Sequence, residues 1–118
     1  MNKILVSQIV SEVELIHVVE FLKIGFKQSD LFAYEILSHA IKMNVNNKLY
    51  GFTIKDNGII CGAILTLFQG YHKGQSGEFI PIFNLSTWYI KPEMRGLYSI
   101  KHIYKTVEYF KDFIITNY

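Results

Sequence analysis

The sequence predicts an α+β domain, a mostly antiparallel sheet with flanking helices. Three observations carry that prediction. From Ser11 to about Asn47 the apolar residues recur at helical spacing, and from Leu49 the period changes to two. Asp56-Asn57-Gly58 then separates two apolar runs, which is a strong hairpin signal. A helical pattern returns after the Lys91-Pro92 step.

The elements follow in order. Ile4 to Val10 is a short apolar stretch that reads as a first strand. Ser11-Glu12-Val13-Glu14 reads as a capping box, with Ser11 as N-cap and Glu14 reaching back to it. The helix that follows places Leu15, Ile16, Val19, Leu22 and Phe26 on one stripe, and Gly25 weakens its end. Ser29-Asp30 offers a second N-cap, and Phe32, Ile36, Leu37, Ala40 and Ile41 continue at helical spacing. Asn44 to Asn47 ends that helix, because Asn favours turns.

Leu49 to Lys55 reads as a strand with Tyr50, Phe52 and Ile54 on one face. Ile59 to Phe68 is its return partner, apolar on both faces and therefore central in a sheet. Gln69 to Glu78 holds three glycines and reads as a mobile loop. Phe79 to Ile90 is the next strand, with Pro81 near its start, where a lost N–H is tolerated. A last helix is expected from about Tyr98 to Lys111, and Phe113 to Thr116 opens a further strand.

Composition limits the function classes. The chain of 118 residues fits a single domain spanning positions 1–118. A formal charge of +2 with no basic cluster gives no argument for nucleic acid, and Lys101 and Lys105 read as solvated. The single cysteine, Cys61, excludes an intramolecular disulfide and a cysteine-based metal site, and its apolar surroundings make it a buried, inert thiol. The longest apolar run, Ile59 to Phe68, is too short to span a bilayer as a helix. The first residues do not form a signal peptide, since Ser7 and Gln8 break the apolar run and Glu12 and Glu14 follow. A cytoplasmic protein with no metal and no membrane partner is the expectation. The four histidines, His17, His39, His72 and His102, show no ligand spacing, and His39 reads as a surface pair with Glu35 one turn earlier. No Walker motif, nucleophile signature or zinc pattern occurs.

The most informative segment runs from Trp88 to Ser99. A strand stops at Lys91-Pro92, an Arg95-Gly96 turn follows, and a helix begins with Ile100, Ile103, Tyr104, Val107 and Phe110 on its apolar face. A helix N-terminus behind a tight turn presents unpaired N–H groups and the positive end of the helix dipole to an anion. A plain strand-turn-helix packing unit, with Arg95 on the surface, is the alternative.

Over about Phe83 to Tyr104 this segment resembles the acyl-CoA-binding motif of the GNAT superfamily of N-acyltransferases. The order of elements resembles the N-terminal half of a GNAT domain along nearly the whole chain. The resemblance implies that the main chain of Trp88, Tyr89 and Ile90 pairs with the pantetheine arm of acetyl-CoA, and that Arg95, Gly96, Leu97, Tyr98, Ser99 and Ile100 hold its pyrophosphate. Arg95 and Gly96 match the family's pattern, whereas the two further small positions fall on Tyr98 and Ile100. Backbone N–H groups of Leu97 to Ile100 remain available there, and Ser99 adds a hydroxyl.

The resemblance further implies transfer of an acetyl group from acetyl-CoA to an amine acceptor. The first two helices and the loop Gln69 to Glu78 would line the acceptor side. The strand offers Asn84, Ser86, Thr87 and Tyr89 but no carboxylate, so the catalytic residues stay unassigned. The family fold continues beyond the strand that opens at Phe113, so the expectation is a truncated domain, or one completed by a homo-oligomer or a complementing chain. The alternative function is a non-catalytic GNAT-like module for protein interaction or self-association.

Overall fold

The computed structural model describes residues 4–94 and 114–116. Its elements are β1 (Ile4–Ile9), α1 (Glu12–Gly25), α2 (Asp30–Met43), β2 (Gly51–Asp56), β3 (Ile59–Lys73), β4 (Phe79–Ile90) and β5 (Ile114–Thr116), with a 3-10 turn at Pro92–Met94 after β4. The strands form one sheet in the order β1-β2-β3-β4-β5. The first four are antiparallel and β5 runs parallel to β4, pairing Ile114 with Ile82 and Thr116 with Asn84. The chain is therefore α+β, with the helices packed on a mostly antiparallel sheet. The expected helix from Tyr98 to Lys111 lies outside the described residues.

Ser11 caps α1 as its sequence predicts, with Oγ accepting from the Glu14 N–H at 3.2 Å. The Glu14 carboxylate is 3.6 Å from Lys55 Nζ on β2, so this side chain ties the helix to the sheet. The buried stripe is Leu15, Val18, Val19 and Leu22, while Ile16 is half exposed. Val18 rather than Ile16 completes the i, i+3, i+4, i+7 line that faces the strands. Ser29 caps α2 by accepting from the Phe32 N–H at 3.3 Å. Lys23 Nζ bonds Asp30 Oδ1 at 2.9 Å, which holds the Asp30 carboxyl below its ordinary value and raises that of Lys23. Exposed as it is, this pair orients the interhelical turn more than it stabilises the fold.

The Asn57-Gly58 turn is as expected, with positive φ at both residues (52° and 85°), the conformation of a type I′ hairpin. β2 begins two residues later than its sequence pattern suggests. Gly51, at φ 151°, lets the strand approach β3 so closely that a Cβ would run into the Ile64 carbonyl. The alternation of Tyr50, Phe52 and Ile54 is also broken there: Phe52 and Ile54 pack with Ile64 and Phe83 on one face, and Tyr50 packs with Ile9, Ala63 and Leu65 beneath the helices.

The segment Gln69 to Glu78 is not a loop throughout. β3 continues to Lys73 and only the turn Gly74 to Glu78 remains, closed by a bond from the Gly74 N–H to the Glu78 carbonyl at 2.8 Å. Gly70, at φ 109°, marks a bulge rather than a strand end.

One polar residue fixes α2 on the sheet. Asn44, fully buried at the helix C-cap, donates through Nδ2 to the carbonyls of Ala40 (2.7 Å) and Thr66 (3.0 Å) and accepts from the Phe68 N–H at 3.0 Å. Thr66 in turn donates to the Leu49 carbonyl at 2.7 Å. Every polar atom of the Asn44 side chain is thus used, which makes its burial favourable.

Candidate functional site

β4 carries the site because its ladder is broken in the middle. Ile64 faces Trp88 and Thr66 faces Leu85, so two steps along β3 match three along β4. The extra residue falls at Ser86-Thr87, opposite Leu65. A bulge of this kind leaves a strand's backbone groups without their ladder partners and turns its side chains.

The bulge also explains the burial pattern. Phe83 and Leu85 share a core cluster with Ile90, although a regular strand would put Ile90 on the opposite face. That switch from odd to even buried positions was the sequence signal for the bulge, and it is readable only when the buried positions are known.

Two hollows meet at the bulge. One, of 380 Å³, lies between α2 and the sheet, with Glu35 and His39 on the helix side, Leu65 and Leu67 beneath, and Ser86 and Thr87 on the far wall. The other, of 450 Å³, is bounded by Phe26, Trp88 and Tyr89 and again by Ser86 and Thr87. Tyr89 separates it from a third hollow of 350 Å³, where Lys27 and Lys91 stand near Phe21 and Gly25.

Trp88 is partly exposed beside the second hollow. Tyr89 packs between α1 and the sheet, with ring centroids 5.8 Å from Phe21 and 5.3 Å from Phe26. Gly25 is the residue that admits this ring, since a Cβ there would lie 2.5 Å from Tyr89 Cε1. α1 also ends at Gly25, where the sequence places its weak end. The Ile90 side chain is buried in the opposite face of the sheet, so only its main chain could meet a ligand on the helix side. Arg95, Gly96, Leu97, Tyr98, Ser99 and Ile100 lie outside the described residues.

Sequence reading missed Glu35, His39, Lys27 and Lys91 as neighbours of one strand. Lys27 did leave a trace in the backbone. It closes α1 at φ 55°, where glycine is favoured, with its N–H bonded to the Ile24 carbonyl at 3.1 Å and the Gln28 N–H bonded to the Lys23 carbonyl at 2.9 Å. Cys61 is buried as expected, and burial pushes its thiol up, with Asp56 acting in the same direction. Among the described residues no cluster of three His, Cys, Asp or Glu side chains is placed to hold a metal, and no helix is long and apolar enough to cross a membrane.

This architecture matches solved acetyltransferase structures. An aminoglycoside N-acetyltransferase AAC(6')-Iy in complex with CoA superimposes with a TM-score of 0.66 at 14% identity, over 100% of this chain and 78% of that one. The chain has the GNAT acetyltransferase fold. A predicted acetyltransferase with acetyl-CoA from Clostridium acetobutylicum gives 0.62 at 12% identity, over 100% of this chain and 80% of that one. A GCN5-related N-acetyltransferase from Kribbella flavida gives 0.62 at 16% identity, over 94% of this chain and 28% of that one. At such identities the likeness is one of fold. No protein-family sequence model and no curated protein sequence matches the chain.

Proposed function

We propose that residues 1–118 belong to one GNAT domain, whole or in part, that transfers an acetyl group from acetyl-CoA to an amine, working in the cytoplasm. The observation that carries this reading is the meeting of two hollows at the Ser86-Thr87 bulge of β4. A donor arriving from one side and an acceptor from the other would converge on the same short stretch of backbone.

In this reading the thioester lies along the C-terminal half of β4, with the main chain of Trp88 to Ile90 beside the pantetheine. A backbone N–H at the bulge polarises the carbonyl, the type of preorganised donor that is worth on the order of 100-fold to 1000-fold in rate. Lys27 and Lys91 place positive charge at the end of β4 that leads to Arg95. The phosphates would sit there, on the backbone of Arg95 to Ile100. The amine attacks the carbonyl carbon, the C–S bond breaks, and the thiolate leaves with a proton.

Calorimetric titration with acetyl-CoA and with free CoA tests the reading. Binding of both in the micromolar range, lost on Arg95→Ala combined with Lys91→Ala, is the expected result. No binding at millimolar ligand overturns it.

One observation favours a second reading, an interaction module. The outer end of the β3–β4 hairpin exposes Tyr71 and Phe79 side by side, at a centroid distance of 6.5 Å. Concentration-dependent self-association that Tyr71→Ser abolishes, together with no CoA binding, would put this reading first.

A further inference from the structure

β1 is an end strand of the sheet, and among the described residues nothing pairs with its outer side. Two bonds show which way its backbone groups point. The Ile9 carbonyl accepts from the Tyr50 N–H at 2.8 Å, so Ile9 turns its groups toward β2. The Ile54 carbonyl accepts from the Cys61 thiol of β3 at 3.4 Å, so the flanking Thr53 and Lys55 point the other way, to Ser7 and Leu5 of β1. Backbone groups alternate sides along a strand. Leu5, Ser7 and Ile9 are therefore used inside the sheet, and the N–H and C=O groups of Ile4, Val6 and Gln8 point outward.

Proteins usually guard such an edge with charge, proline, a bulge or a cover. This chain does so elsewhere. Where β3 runs past the start of β2, Asn44 Oδ1 takes the Phe68 N–H at 3.0 Å, and β4 carries Pro81 near its start. β1 has none of these devices. Ile4–Ile9 holds no charge and no proline, and its six residues pair with β2 in unbroken register. α1 and α2 pack mainly over β3 and β4, away from this edge.

We propose that β1 is a self-association edge: a second copy of this chain lays its own β1 antiparallel against it, about a two-fold axis at Ser7, and joins the two sheets.

Charge and parity select a second copy as the occupant. The strand is uncharged, so its copy meets no like charge. The nearest charges in the sequence are Lys3 before it and Glu12 after it, so antiparallel pairing sets unlike ends together. Centring on Ser7 gives every residue from Ile4 to Val10 a partner. Val6 then faces Gln8 of the other copy, and both bring outward groups that exchange hydrogen bonds. Residues of equal parity meet, so the helices of both copies lie on the same side of one continuous sheet. Leu5, exposed in the single chain, comes beside Ile9 of the other copy, with exposed Val10 and Val13 close by. The two-fold makes the contact closed, so association stops at a dimer. The bulge of β4 lies three strands away and no residue of β1 lines its hollows, so this pairing is independent of the acetyl-transfer reading.

Analytical ultracentrifugation of the whole chain should show a monomer–dimer equilibrium in the micromolar range. Hydrogen exchange followed by NMR reads the edge without any substitution. The Val6 and Gln8 amides should gain at least about tenfold protection between dilute and concentrated samples, while those of Ser7 and Ile9 stay protected in both. Gln8→Pro removes one outward donor from each copy and spares the inward ladder, so the dissociation constant should rise about tenfold or more. Tyr71→Ser should leave it unchanged. Ser7→Cys sets two thiols in a non-hydrogen-bonded pair, with Cα atoms about 4.5 Å apart, which a disulfide can bridge. It should cross-link under mild oxidation, whereas Leu5→Cys, which faces Ile9 rather than itself, should not.

A chain that stays monomeric at high micromolar concentration overturns the second copy as the occupant. A dimer that Tyr71→Ser abolishes, or one whose Val6 and Gln8 amides still exchange freely, overturns β1 as its edge. Cross-linking of Leu5→Cys as fast as Ser7→Cys overturns the two-fold at Ser7.

Discussion

The β3–β4 hairpin has two ends that differ in almost every physical respect. At the outer end, Tyr71 and Lys73 face Pro81 and Phe79 in an orderly ladder, and exposed aromatic rings line it. At the inner end the ladder is interrupted at Ser86-Thr87, the sheet is packed against two helices, and hollows open on both sides of the break. Regular pairing satisfies the backbone and leaves nothing for a ligand. Interrupted pairing leaves donors over, and it is tolerable here because α1 packs on β4 through Tyr89 while Asn44 fixes α2 to the neighbouring strand β3.

The strongest way to break this contrast is to repair the bulge. Deleting Thr87 should let β4 pair without interruption and keep the protein folded, with far-ultraviolet circular dichroism unchanged. Acetyl transfer should fall by roughly 100-fold or more, as for loss of a preorganised donor. A deletion protein with full activity would show that the break has no catalytic role.

Asn44→Ala comes next, since it strands the Thr66 carbonyl and the Phe68 N–H in the interior. Each unsatisfied buried group costs about 1–3 kcal/mol, so a total near 3 kcal/mol is expected in urea denaturation. Loss of less than about 1 kcal/mol would mean that helix packing alone holds α2.

Gly25→Ala drives a Cβ into the Tyr89 ring and should cost about 2 kcal/mol, with Tyr89→Ala in the same chain recovering most of it. Lys27→Gly relieves a left-handed residue of roughly 1 kcal/mol. It should raise the melting temperature slightly, while calorimetry shows acetyl-CoA bound several-fold more weakly. At the outer end, Tyr71→Ser or Phe79→Ser should change stability by about 0.5–1 kcal/mol and leave activity intact, the size of an exposed aromatic pair.

Some of this was legible in the chain and some was not, for reasons that individual residues make plain. Ser11, Ser29 and Asn57-Gly58 act through bonds and dihedrals within a few positions of themselves, so their caps and turn were readable. The polar and apolar periods likewise gave the helices and the strands of the hairpin core. Gly25 and Gly70 were readable as glycines but not in their roles, because one answers to the Tyr89 ring and the other to a bulge in β3. Glu35 and His39 looked like a surface pair, since nothing nearby in the sequence announces that β4 passes in front of them.

What the sequence determined by itself is local: where helices start, which turn joins β2 to β3, that strands follow helices, and that Cys61 is buried. What only the tertiary structure decided is which residues share a wall. Asn44 meets Thr66 and Phe68, Tyr89 meets Gly25, and Glu35 and His39 meet Ser86 and Thr87 across a cavity. Capping and turn conformation are encoded over a few bonds, whereas a shared wall depends on the register of distant strands, and in β4 a single extra residue sets that register.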